Sequence, residues 1–206
     1  MQIILGGGCF WCLQSCFELL PNINSVICGY SGGKTQNPTY EEVCSGKTGH
    51  IEVVLIDYNE TIELKSNLLD KELQKLPNSN LQDLDQNSNS TLAQILDVFW
   101  QIHDPTKLNK QGADIGSQYA SVIFWQNIEQ LKIINQSLDK LKDSGKYLSQ
   151  IVTKIEQKIN LKTNFWKAEE KHQDYFVKNP STSYCQMVVL PKIEKTKKFL
   201  EPLETK

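Results

Sequence analysis

The spacing of apolar residues changes period several times along the chain. Residues 2–5, "QIIL", form a short apolar run that ends in three glycines, which predicts a buried strand. From Trp11 the period becomes helical: Leu13, Cys16, Phe17 and Leu20 fall at i, i+3, i+4 and i+7, and Pro21 and Asn22 end the pattern. "INSVICGY" predicts a second strand, closed by "SGG". Thr39, with Glu42 three residues on, is the signature of a capping box and predicts a short helix that stops at Gly46. "HIEVVLIDY" predicts a third strand.

Residues 60–90 break the rhythm. "KLPNSNLQDLDQNSNS" is rich in Asn, Ser, Gln and Asp, the composition of a solvated insertion. Order resumes with a helix over "LAQILDVFW", whose Leu92, Ile95, Leu96 and Phe99 share a face. "ASVIFW" predicts a strand. Residues 127–142 predict a helix with Leu131, Ile134, Leu138 and Leu141 inward, and "NFWKAEEKHQDYF" predicts another. Residues 186–206 are expected to form a tail, a short apolar run followed by a polar end. There is no internal repeat and no regular βαβ alternation, so the class is α+β.

Composition narrows the function. The 206 residues are 39% hydrophobic and carry a formal net charge of -2. That supports one good core, and a single domain over 1–206 is expected. No basic stripe points to nucleic acid. No apolar run approaches the roughly 20 residues that span a bilayer, and the N-terminus lacks the basic region of a signal peptide. A cytoplasmic location is expected. Five of the six cysteines (9, 12, 16, 28, 44 and 185) lie in the first quarter. The chain is too large and core-rich for a secreted disulfide scaffold. Cys16, Cys28 and Cys44 are therefore read as reduced core thiols.

Cys9 is different. It follows Gly6, Gly7 and Gly8 and stands where a helix begins, where unpaired N–H groups and the helix dipole favour a thiolate nucleophile. The competing reading is a buried structural thiol. Cys9 and Cys12 also make a C-x-x-C, which admits a thioredoxin-like redox dithiol or half of a zinc site. Zinc needs two more suitably spaced ligands, and His50, His103 and His172 are scattered. Two large aromatics, Phe10 and Trp11, separate the cysteines and suggest an apolar pocket. In "HIEVVLI", Glu52 shares a strand face with Val54 and Ile56. A carboxyl there is costly unless protonated or paired. Burial raises its pKa and suits it to general acid catalysis; the alternative is a strand-end Glu that reaches solvent.

The blocks "GCFWC", "GYSGG", "NPTYEEVCSGKTGHIEVV", "FWQIHDPT", "QGADIGSQYASVI", "EEKHQDY" and "NPSTSYC", in that order, resemble the A class of peptide methionine sulfoxide reductases. The resemblance covers nearly the whole chain apart from residues 60–90. It implies a ferredoxin-like two-layer α+β sandwich with additional helices. It also implies reduction of methionine-(S)-sulfoxide, free or in proteins, for repair of oxidised proteins, with thioredoxin as electron donor. By the same resemblance Cys9 is the catalytic cysteine, Phe10 and Trp11 wall the substrate methyl group, and Glu52 protonates the sulfoxide oxygen. Tyr40 and Tyr119 hydrogen-bond that oxygen, Asp114 helps hold the substrate, and Cys185 is a resolving cysteine.

The implied reaction turns Cys9 into a sulfenic acid, which a second thiol converts to an intramolecular disulfide for thioredoxin to reduce. No metal or organic cofactor is implied, and the protein is expected to act as a monomer. Cys12 replaces the glycine that many members carry after the tryptophan. It lies about one helical turn from Cys9, a separation compatible with a disulfide, so Cys12 is expected to resolve the sulfenic acid ahead of Cys185. His50 is expected to be a structural hydrogen-bonder, and His103 and Asp104 to close the preceding helix. His172 and Asp174 are expected to support the core or the rim of the site.

Overall fold

The computed structural model describes residues 1–60, 90–158, 160 and 164–204. Its main sheet takes β1 (Gln2–Gly6), β2 (Ile23–Ser31), β3 (Ile51–Tyr58), β6 (Val122–Trp125), β7 (Lys154–Gln157) and β8 (Trp166–Lys167) in the order β7-β6-β1-β3-β2-β8. The central four strands, β6, β1, β3 and β2, are antiparallel to one another, with β3 between β1 and β2 and β1 between β3 and β6. This is the split βαβ arrangement of a ferredoxin-like sheet. Strand β7 adds in parallel to β6 and β8 antiparallel to β2. A two-stranded hairpin, β4 (Lys110–Gln111) with β5 (Asp114–Ile115), stands apart.

Helix α1 (Phe10–Phe17) connects β1 to β2, and α2 (Tyr40–Cys44) precedes β3. Helix α3 (Thr91–Ile102) leads toward the hairpin and α4 (Ile128–Asp143) follows β6; α5 (Tyr175–Lys178) is one short turn. A π-helical turn, Cys185–Val189, then runs directly into α6 (Leu190–Glu204). Helix α1 packs on β2 and β3, α3 packs on α1, and α6 packs against both α1 and α3. Phe10, Leu13, Phe17, Tyr30, Ile56, Tyr58, Leu92 and Phe99 are fully buried in the resulting core. Each contributes about 1.5–3 kcal/mol through burial. The other sheet face carries a smaller cluster of Ile4, Ile51, Val53, Ala120, Val122 and Phe124. The alternation expected for β3 holds: Ile51 and Val53 join the small cluster, and Val54 and Ile56 join the large one.

The capping box forms as expected. Thr39 Oγ1 accepts from the Glu42 N–H at 3.3 Å, and Glu42 Oε2 accepts from the Thr39 N–H at 2.8 Å. The polar insertion falls on residues 60–90, of which 61–89 lie outside the described residues.

Five sequence expectations are corrected. Helix α1 ends at Phe17, and the chain tightens through Leu19 and Leu20 with N–H bonds to Cys16 O and Phe17 O. In α4 the buried positions are Gln130, Ile134, Ser137 and Leu141, while Leu131 and Leu138 are only half-buried. The two polar residues are satisfied inside: Gln130 Nε2 donates to Gln2 O at 2.7 Å, and Ser137 Oγ accepts from Trp100 Nε1 at 2.8 Å. Cys44 is exposed, because the five-residue α2 buries only Val43.

The fourth correction concerns residues 164–176, which do not form one helix. Trp166 and Lys167 pair with Tyr30 and Gly29, and Gln173 closes the edge of β2. Its side chain accepts from Cys28 N and donates to Cys28 O, each at 3.0 Å. Satisfying the free groups of an edge strand outweighs the local helical spacing. Asp174, at φ 54°, then turns the chain in the left-handed region. The expected tail is likewise the π-helical turn and α6, docked through Val189, Ile193, Thr196 and Leu200.

Candidate active site

The site gathers at the N-terminus of α1. Gly8 has φ +98°, and a Cβ there would lie 2.8 Å from Gln111 Cβ. Only glycine makes this turn without strain, and it delivers Cys9 to the N-cap of α1. The Phe10 N–H, one of the donors a helix start leaves unpaired, is bound by Glu52 Oε2 at 3.2 Å. The helix start thus joins the nucleophile candidate to the acid candidate.

Glu52 is 1% exposed, on the central strand β3. Burial drives its carboxyl well above the usual range. The nearby Cys9 pushes the same way, and the Phe10 N–H opposes but does not reverse the shift. The strand-end reading is therefore replaced by a buried carboxyl that holds its proton more tightly than an exposed one. Tyr40 and Tyr119 both lie within the electrostatic reach of Glu52. Burial raises both phenols; in Tyr40 a hydrogen bond to the Cys44 thiol adds to it, and the potential of Glu52 adds to each, so both keep their O–H at neutral pH.

The position of Cys9 is as expected, and its resting state is not. Burial pushes its thiol well above an ordinary cysteine and the neighbouring Cys12 pushes the same way, while the Tyr184 hydroxyl and the Trp11 backbone N–H pull the other way. Desolvation outweighs the helix terminus. The thiol hydrogen-bonds to Cys12, and that bond lowers Cys12, assisted by the ammonium of Lys192 and opposed by burial. Cys185 is fully buried on the π-helical turn, which packs against α1.

Aromatic rings enclose the approach. Phe10 lies 6.5 Å from Tyr40 and 5.4 Å from His172, centroid to centroid. Trp11 stacks on Tyr175 at 3.6 Å and 6°, and Tyr184 meets it edge-on at 5.6 Å. The Tyr184 hydroxyl donates to Asp114 Oδ2 at 2.9 Å. Asp114, on β5 of the hairpin, therefore stands on the far side of Tyr184 from Trp11. Neither ring nitrogen of His172 has a hydrogen-bond partner among the described residues; Nε2 lies 3.8 Å from Glu169 Oε2. Burial lowers the His172 pKa, so the ring is neutral.

Several site residues were missed in the sequence. Glu169 accepts from Tyr40 N and from the Tyr30 hydroxyl, each at 2.8 Å, and so fixes the start of α2 against the sheet. Tyr175 and Tyr184 complete the aromatic wall. All three lie inside the blocks "EEKHQDY" and "NPSTSYC", which were the available signal. The remaining histidines are structural, as expected. His50 Nδ1 accepts from Gly33 N at 3.2 Å with Nε2 2.8 Å from Thr35 O, and His103 bridges Phe99 O and Ser121 Oγ at the end of α3. Among the described residues no group of three or more His, Cys, Asp or Glu is placed to hold a metal ion, and no helix is long and apolar enough to cross a membrane.

A buried carboxyl, two tyrosines and a pair of hydrogen-bonded thiols thus gather at a helix start on a ferredoxin-like sheet, an arrangement suited to cysteine-based redox chemistry. The peptide methionine sulfoxide reductase family model matches residues 1–76 and 84–203. The peptide methionine sulfoxide reductase A of Natronomonas pharaonis is 41% identical over 203 residues, covering 98% of this chain and 97% of that protein. That of Haloquadratum walsbyi is 42% identical over 200 residues, covering 97% and 96%. Among solved structures, reduced Mxr1 from Saccharomyces cerevisiae aligns with a TM-score of 0.67 at 28% identity, covering 90% of this chain and 88% of that one. Methionine sulfoxide reductase A of Corynebacterium diphtheriae aligns with a TM-score of 0.63 at 26% identity, covering 88% and 76%. The chain belongs to the peptide methionine sulfoxide reductase family, and within it to the A class, the peptide-methionine (S)-S-oxide reductases. The family model leaves only residues 77–83 unmatched inside the polar stretch, so the segment without a counterpart is narrower than the expected 60–90.

Proposed function

We propose that the chain reduces methionine-(S)-sulfoxide, free or in oxidised proteins, to methionine, with Cys9 as nucleophile and Glu52 as acid. The observation that carries the reading is the buried, neutral Glu52 carboxyl, joined to the start of α1 beside Cys9. A sulfoxide oxygen leaves only when protonated. Glu52 gives its proton to that oxygen, and the Tyr40 and Tyr119 hydroxyls stabilise the charge that develops there. The Cys9 sulfur attacks the substrate sulfur and its own proton restores Glu52. Oxygen passes to Cys9, methionine leaves, and Cys9 becomes a sulfenic acid. Phe10 and Trp11 wall the methyl group, and Asp114 holds the substrate after parting from Tyr184.

Cys12, already hydrogen-bonded to Cys9, then attacks the sulfenic sulfur. The S–S bond forms, the S–O bond breaks, and water leaves. Thioredoxin reduces the disulfide by exchange, with Cys185 as a later carrier. No bound cofactor is required. The chain acts in the cytoplasm as a monomeric single domain, with the polar insertion outside the site.

The test is incubation with methionine-(S)-sulfoxide, methionine-(R)-sulfoxide and dithiothreitol, followed by a single turnover without reductant, rapid alkylation and peptide mapping. Methionine from the S form alone, with a Cys9–Cys12 disulfide formed first, is expected. Insulin reduction without sulfoxide turnover would replace the reading with a general thiol–disulfide oxidoreductase. A first-formed Cys9–Cys185 bond, with Cys12 still alkylatable, would return resolution to Cys185.

A further inference from the structure

Helix α5 buries none of its four residues completely, so burial alone does not fix where Tyr175 stands. Yet the Tyr175 ring lies nearly parallel to Trp11, at 3.6 Å and 6°. Another contact must hold the two rings together.

Gln14 supplies it. This residue lies on α1, one turn beyond Trp11, and is 2% exposed. Its Oε1 accepts from the Asp174 N–H at 2.9 Å and from the Cys28 thiol at 3.4 Å. Its Nε2 donates to Val26 O at 3.0 Å and to Asp174 Oδ1 at 3.3 Å. Both donors of the amide are thus used, and its oxygen accepts twice. Asp174 is the residue at φ 54° that turns the chain into α5, and Gln173 before it is tied to the Cys28 backbone. The left-handed turn is therefore anchored to the sheet through one amide and to α1 through the other. A single helix holds both ends of the ring contact: Gln14 fixes the turn that presents Tyr175, and Trp11 receives its ring. With Tyr175 covering one face, the indole cannot tilt or slide that way. Its spacing from Phe10, 6.2 Å between ring centres, is set accordingly.

We propose that Gln14 is a positioning residue for the slot that receives the substrate's S-methyl group: by seating Tyr175 on Trp11 it fixes the orientation of the indole, and with it how large an S-alkyl group is admitted. The proposal rests on the reading of Phe10 and Trp11 as the wall of that slot. Buried and fully hydrogen-bonded, the Gln14 amide has nothing left to offer a substrate, so it acts through Tyr175. An ethyl group on the sulfoxide sulfur is one methylene larger than a methyl group. An apolar pocket of fixed shape separates two such groups by about 10- to 200-fold. Where the indole is free to tilt, the slot widens and the larger group is rejected less. Gln14 thus governs selectivity among sulfoxides rather than the proton or the thiol of the reaction.

The test compares kcat/KM for methionine-(S)-sulfoxide and ethionine-(S)-sulfoxide, with dithiothreitol, in the parent, Gln14→Met, Tyr175→Leu and the double variant. Methionine keeps the length of glutamine but cannot bind the Asp174 N–H. The methyl-over-ethyl preference is expected to fall by about three- to tenfold in Gln14→Met, the worth of about one hydrogen bond, with a raised KM for methionine-(S)-sulfoxide at nearly unchanged kcat. Tyr175→Leu is expected to lose at least as much. The double variant is expected to lose no more than Tyr175→Leu, because Gln14 works only through that ring. Gln14→Glu, whose buried carboxyl keeps its proton and so offers an acceptor and a donor, is expected to restore the parent preference. An unchanged preference in Gln14→Met, whatever its melting temperature, would overturn the role and leave Gln14 a structural residue. Losses that add in the double variant would overturn it as well. Trp11→Phe separates the two levels. If it leaves the preference at the parent value, the wall reading falls and the proposal with it; if it lowers the preference while Gln14→Met does not, only the role of Gln14 falls. Should Gln14→Met fail to fold, Gln14→Leu answers the same question.

Discussion

Replacing Glu52 by glutamine separates chemistry from stability in a way few substitutions can. Glutamine has nearly the same shape and keeps an oxygen for the Phe10 N–H, now bound at 3.2 Å. It removes the transferable proton. General acid catalysis is worth about 10²–10⁴ in rate, and methionine release is expected to fall by that factor. Stability is expected to move oppositely. The folded carboxyl holds its proton well above the usual range, whereas the unfolded chain releases it near pH 4.3. The folded state then binds more protons than the unfolded state, so the parent loses stability as pH rises from about 4.3 toward the raised folded value. Each unit of that elevation costs about 1.4 kcal/mol. In a chain of this length one unit corresponds to about 3–6 °C in Tm. The glutamine variant carries no such cost. It should melt higher than the parent at pH 8, match it near pH 4, and lose the alkaline limb of the rate profile. Thermal melts at the two pH values and a single-turnover rate profile suffice. A variant with the parent's rate, the parent's alkaline limb and no Tm gain at pH 8 would refute the buried-acid argument.

Cys9→Ser is expected to abolish methionine formation even with dithiothreitol present, as quantified by methionine release; substantial residual turnover would remove Cys9 as nucleophile. His103 is held neutral by burial at about 4, below its unfolded value of about 6.5. Its contribution is therefore present above pH 6.5 and lost as pH falls through about 4, by about 3 kcal/mol; denaturant titrations between pH 4 and 7 should show that slope in the parent and not in His103→Asn. Gly29→Ala would place a Cβ against the Phe165 ring and 2.6 Å from the Trp166 carbonyl oxygen. Strand β8 must then shift, and a loss of about 1–3 kcal/mol is expected by chemical denaturation.

Local rules made much of this site legible. Thr39 and Glu42 announce a helix start through two reciprocal bonds that need no tertiary partner. Glu52 stands out because the alternation of β3 leaves a carboxyl on a buried face. What the sequence concealed depends on distant partners. Trp166 and Gln173 look helical until the edge of β2 offers them unpaired backbone groups. Ser137 looks like a solvent position until Trp100 supplies an indole N–H. Cys9 looks like a resting thiolate because helix-terminus arguments carry no measure of depth, and burial decided its state. Tyr184 carries no local signal of proximity to Asp114, seventy residues away.

That last contact changes what substrate affinity measures. With its hydroxyl on Asp114 and its ring against Trp11, Tyr184 would compete with substrate if Asp114 holds it as proposed. An incoming side chain that needs Asp114 exchanges one hydrogen bond for another, so the net gain is a difference between two similar terms. Apparent affinity is then scaled by the fraction of molecules in which the tyrosine has swung aside. Loosely held, solvent-exposed oxidised methionines, which give up little on entering, would then be favoured over those tied into a folded surface. On the proposed role of Asp114, the segment carrying Tyr184 would set a threshold that damaged, locally unfolded chains cross most easily.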